Sequence, residues 1–108
     1  MTELKSESGG KILISNEIIA AIAGKAAIEV EGVMSLSGLR KGKAVAVQVN
    51  GQDVRIAIAL VVKMGVRLHD VAHEVQQKIN SAVETMVGLN VKEVNVRVNA
   101  ISYERRKK

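Results

Sequence analysis

The chain has 108 residues and a formal net charge of +5, with hydrophobic residues at 47% and aromatic residues at 1%. That length suffices for one globular domain with a modest aliphatic core and not for two. The absence of cysteine excludes disulfides and thiolate metal sites, the near-absence of aromatics removes the stacking platform that many RNA-binding domains use, and no apolar run approaches the ~20 residues needed to span a bilayer.

Residues 1–9 form a polar stretch without a signal-peptide pattern, expected to be a flexible tail on a cytoplasmic protein. Lys11 to Ile14 is a short apolar run, long enough for a brief strand. Ser15 suits a helix N-cap, because its hydroxyl can accept from an orphan amide of the first turn. Glu17 places a negative charge near the positive helix end. Ile18, Ile19, Ile22, Ala23, Ala26, Ala27 and Val30 then recur at helical spacing, and Gly32 is expected to end that helix. Val33 to Ser37 is a weak strand candidate.

Gly38 to Lys43 is a basic, glycine-flanked loop. Val45, Val47 and Val49 alternate with polar or small residues, and Asn50-Gly51 is a strong hairpin signal. Centring the turn there pairs Val47 with Val54 and Val45 with Ile56. Val54, Ile56, Ile58, Leu60 and Val62 alternate with Arg55, Ala57, Ala59, Val61 and Lys63, which predicts a strand with one strongly apolar face. After Gly65 the period changes. Leu68, Val71, Ala72, Val75, Ile79, Ala82, Val83 and Met86 form one helical stripe. Gly88 should end this helix in the left-handed region, where a Cβ is penalised. Val94, Val96 and Val98 alternate with Asn95, Arg97 and Asn99, a further one-sided strand. Strand, helix, strand at this spacing predicts a right-handed crossover joining parallel strands.

The expected architecture is β-α-β-β-β-α-β, an α+β two-layer sandwich with a mixed β-sheet and both helices on one face. The domain spans 10–101, and 102–108 is a basic C-terminal tail.

The chemistry-bearing residues are sparse. His69 and His73 share a helix face, but a zinc site needs a third ligand, and there is no other histidine and no cysteine. The loop bearing Arg40, Lys41 and Lys43 lacks the phosphate-cradle spacing, with Gly38 and Gly42 separated by only three residues and Ala44 where a hydroxyl residue would stand. No serine is placed beside a histidine, so no nucleophile-base pair emerges and no enzyme is expected. No cofactor or small-molecule substrate is expected either. Arg40, Lys41, Lys43, Arg105 and Arg106 are candidates for weak contact with anionic lipid or RNA. The sheet face turned from the helices is the candidate interaction surface, with Arg55, Ala57, Ala59, Lys63, Arg97 and Asn99. It pairs a flat floor of small residues with cations, which suits a protein interface.

Gly10-Lys11-Ile12-Leu13-Ile14-Ser15 leading into Glu17-Ile18-Ile19 resembles the opening of the alkaline shock protein family, the envelope-stress proteins of Gram-positive bacteria. So do Val30-Glu31-Gly32-Val33, Lys63-Met64-Gly65, the run from Val71 to Gln76, and Met86-Val87-Gly88-Leu89-Asn90-Val91 followed by Val94 to Val98. Met64 departs from the pattern, which often has an aromatic residue there. The resemblance implies a non-enzymatic cytoplasmic protein of envelope homeostasis. It implies self-association, or docking on a membrane-anchored protein partner that holds the chain at the membrane. The alternative from another functional class is a small basic RNA-binding domain.

Overall fold

Strand β5 (Asp53–Lys63) is the element on which the sheet is built. The computed structural model describes residues 2–5, 11–38 and 44–103. In chain order these form β1 (Thr2–Lys5), β2 (Lys11–Ile14), α1 (Asn16–Ile28), β3 (Val33–Leu36), β4 (Val45–Asn50), β5, α2 (Leu68–Val87) and β6 (Asn90–Ser102). Strand β6 runs parallel to β5 along its whole length, the product of the β5-α2-β6 crossover. β4 pairs antiparallel with Asp53–Ile58, and β3 pairs antiparallel with Leu60–Val62. Since β6 occupies one edge of β5, β4 and β3 must lie end to end along the other. The result is a mixed four-stranded sheet with both helices on one face, the two-layer α+β sandwich expected.

Four expectations about the elements need correction. Thr2–Lys5, expected within a flexible tail, form β1 and pair antiparallel with β2. That pair is a separate two-stranded sheet, so the Lys11–Ile14 strand does not join the main one. The β4–β5 hairpin turns at Gly51-Gln52, so Val49 faces Val54 and Val47 faces Ile56, a shift of two from the register expected. A shift of two keeps every side chain on its face. Helix α1 ends at Ile28 with Glu29 as its cap. Gly32 instead sits in a turn closed by the Val33 N–H donating to the Val30 carbonyl (3.2 Å).

Strand β6 carries two bulges. Val91 faces Val54 and Glu93 faces Arg55, which leaves Lys92 as an extra residue. Val98 faces Leu60 and Ala100 faces Val61, which leaves Asn99 extra. Each bulge resets the alternation, so Val91, Val94 and Ile101 fall on the helix side despite odd spacings.

The core lies between sheet and helices. Val54, Ile56, Ile58, Leu60 and Val62 from β5 are all buried. From α2 come Val71, Val75, Ile79, Val83 and Val87, a strict row of every fourth residue. Leu68 and Met86, expected in that stripe, are exposed. Helix α1 contributes Ile19, Ala23, Gly24, Ala26 and Ala27, while Ile18, expected in the stripe, is exposed. Small residues let α1 approach the sheet closely: a Cβ on Gly24 would stand 3.2 Å from Leu36 Cδ1. Ser15 caps α1 as expected, accepting from the Ile18 N–H (3.4 Å).

Gly88 ends α2 at φ 83° and ψ 15°, its N–H donating to the Glu84 carbonyl (3.1 Å). A Cβ there would meet no atom within 4 Å, whereas one on Gly32 (φ 104°) would lie 2.9 Å from Val71 Cγ2. Gly88→Val should therefore cost backbone strain alone, about 1–3 kcal/mol. Gly32→Val should add a clash against α2 and cost more. Urea unfolding of the two variants checks the order; equal losses would refute the packing role of Gly32.

Candidate interaction surface

Along β5 the residues between the core positions point away from the helices, and no helix or strand among the described residues packs over them. Arg55, Lys63 and Arg97 are exposed there, and Ala57 is half-buried. Opposite β5, Glu93 stands beside Arg55, Asn95 beside Ala57 and Arg97 beside Ala59. A shallow cleft of about 160 Å³ opens on this face between Ala46, Gln48, Arg55, Ala57, Glu93 and Asn95.

Two of the expected surface residues do other work. Ala59 is 0% exposed although it faces away from the helices. Its carbonyl accepts from the Ser37 N–H (2.9 Å) and its N–H donates to the Ala44 carbonyl (3.1 Å). Above it, the Asn99 side-chain amide donates to Ser37 Oγ (3.2 Å) and to the Gly38 carbonyl (3.1 Å). Those groups flank opposite edges of β5, so the bridge crosses over the strand and roofs Ala59. Asn99 thus ties the sheet together across β5, and Ala59 is floor beneath it.

Arg55 is not a free cation. Its Nε lies 3.5 Å from Glu93 Oε1, and Asn95 Nδ2 donates to Glu93 Oε2 (2.6 Å). Sequence reasoning missed Glu93 because the strand was started at Val94. Its parity with Asn95 and Arg97 was the available signal. The side chains of Arg97 and Lys63 have no ion pair or hydrogen bond among the described residues.

Arg40, Lys41, Lys43, Arg105 and Arg106 lie outside the described residues. Ser37 and Ala44, on either side of the segment that carries the first three, are both bonded to the backbone of Ala59. His69 and His73 are exposed on the first turns of α2. Among the described residues no group of three or more His, Asp or Glu could hold a metal ion.

The outer edge of β6 is partly closed by α2. Gln76 Nε2 donates to the Val94 carbonyl (3.0 Å), and the Val91 N–H donates to Glu84 Oε2 (3.2 Å). Between them on the helix, Asn80, with its amide turned to suit its surroundings, donates to both Glu84 carboxylate oxygens (3.1 and 3.3 Å). Residues 76, 80 and 84 make a polar row at four-residue spacing, aligned with the strand.

A family model described by its cell envelope-related function matches residues 4–103, nearly the whole chain. The chain belongs to the alkaline shock protein family. Among its relatives, the Bacillus subtilis protein YloU is 33% identical over 85% of this chain and 88% of its own length. YqhY of the same organism is 32% identical over 88% of this chain and 79% of its own. Among solved structures, a manganese form of the MamM CTD superposes with a TM-score of 0.55 at 20% identity, covering 80% of this chain and 99% of that one. This likeness concerns the fold. Among the described residues of this family member no helix is long and apolar enough to cross a membrane.

Replacing Gln76 and Glu84 together by alanine should leave the Val94 carbonyl and Val91 N–H to water. The unfolding free energy should fall by about 1–3 kcal/mol, two hydrogen bonds at roughly 0.5–1.5 each. Val91 amide exchange should accelerate, and unchanged protection there would show that Glu84 does not hold that amide.

Proposed function

We propose that this member of the alkaline shock protein family is a non-catalytic interaction module of cell-envelope stress and homeostasis. It works in the cytoplasm, associating with copies of itself and docking on a membrane-anchored protein that holds it at the membrane. The working surface is the sheet face turned from the helices.

One observation supports this reading most: both helices cover the same face of the sheet, and the other face stays open among the described residues. An open antiparallel face is ordinarily lined with long polar side chains. Here Ala46 and Ala57 floor the cleft and Ala59 lies flat beneath the Asn99 bridge. Charged residues stand around this floor rather than on it. An apolar floor with a polar surround matches the core-and-rim anatomy of a protein interface. The family's envelope-related description supports the setting.

The reading is tested in cells under alkaline stress with a photo-crosslinking residue in place of Ala57, and separately in place of Lys78 on the exposed side of α2. Crosslinks to the chain itself and to a membrane protein should form from position 57 and not from 78. Crosslinks from 78 alone would place the working surface on the helical layer.

A further inference from the structure

We infer that the open face pairs with the same face of a second copy of the chain, turned end for end about a two-fold axis that lies between the two sheets, over the line from Ala57 to Asn95, so that Glu93 of each copy meets Arg97 of the other. This rests on the proposal that the open face is a docking surface and names its occupant.

The inference comes from how charge is distributed along the face. Asp53 and Glu93 lie towards one end with Arg55 between them, while Arg97 and Lys63 lie towards the other. Arg55 offsets only one of the two carboxylates at the acidic end, which stays net negative; the basic end has no counter-charge among the described residues. A uniformly anionic partner, such as an anionic bilayer or RNA, would find Glu93 and Asp53 in its way. A copy of the same face, reversed, is complementary to it, as an isologous interface requires.

The spacing fits. Glu93 and Arg97 lie two residues either side of Asn95 on one strand, about 6.6 Å each way at roughly 3.3 Å per residue. Reversal about Asn95 therefore carries each onto the position of the other. The neighbours at the axis are small, with Ala57 beside Asn95 and Ala46 beyond it. The long side chains of Glu93 and Arg97 can span the ~10 Å between stacked sheets. Glu93 is held upright from two sides, by Arg55 and by Asn95. Arg97 is exposed and has no partner among the described residues.

The test uses the full chain in sedimentation velocity over a range of concentrations, with circular dichroism to confirm folding. The parent should dimerise reversibly. Arg97→Glu and Glu93→Arg should each weaken the dimer about tenfold or more, since each turns two attractive contacts into repulsive ones. An equimolar mixture of the two variants should dimerise again, because each face then meets its opposite. Should Glu93→Arg fail to fold beside Arg55, Glu93→Gln takes its place, and the mixture with Arg97→Glu should still dimerise better than either variant alone. A parent that stays monomeric, or a mixture that does not recover, overturns the inference. Ala57→Tyr separates the two levels. If it abolishes dimerisation while the charge variants behave as the parent, the open face docks copies but not in this pairing. If it dimerises as the parent does, the open-face proposal fails as well.

Discussion

The whole sheet depends on β5 having two paired edges. It is the strand that β3, β4 and β6 all use, and no two of those three bond to each other. Its helix side supplies five consecutive alternate positions of the core. Its other side supplies Arg55, Ala57, Ala59 and Lys63 to the open face. A substitution in β5 therefore reaches packing, pairing and the candidate surface at once, since successive residues point to opposite faces.

Among the described residues, the strands that hang on β5 each leave an outer edge without a strand, which in a sheet invites pairing with other chains. The protein treats these edges differently. β6 is interrupted by two bulges and bonded by Gln76 and Glu84 of α2. β3 and β4 are short, four and six residues. Bulges, side-chain bonds and short length all discourage edge-to-edge growth, and none of these devices lies on the open face.

Much of this was legible in the residues. The alternation from Val54 to Val62 gave the central strand and its faces, and the change of period after Gly65 gave α2. The strand-helix-strand spacing gave the parallel pairing. What stayed hidden depended on tertiary geometry. Asn50-Gly51 and Gly51-Gln52 both make an even turn, and the two registers bury the same side chains, so hydrophobic pattern does not separate them. Leu68 and Met86 fit a 3.6-residue period, but the angle at which α2 crosses the sheet selects the row at every fourth residue. β1 has no pattern of its own; it exists through pairing with β2. On the open face, Arg55 and Arg97 read alike in sequence. The register that runs unbroken from Glu93 to Val98 sets Glu93 beside Arg55 and makes that arginine a paired cation, while the Arg97 side chain has no partner among the described residues. The odd spacing from Val91 to Val94 was the trace of the bulge at Lys92.

The two edges of β5 also close on different schedules. On one side, a two-residue turn brings Asp53 against Asn50, a local event of the microsecond hairpin kind. On the other, Asp53 meets Asn90 across 37 residues, with all of α2 between them. Closing so long a loop loses chain entropy before any contact returns it, which makes such pairings slow. On the ribosome β6 emerges after the other strands of this sheet. Until it docks, β5 carries an open edge, and Val94, which ends up buried against the helices, stays in water. The longest pairing of the sheet is therefore also its least local one, and the segment that closes it carries asparagines and charged residues between its valines.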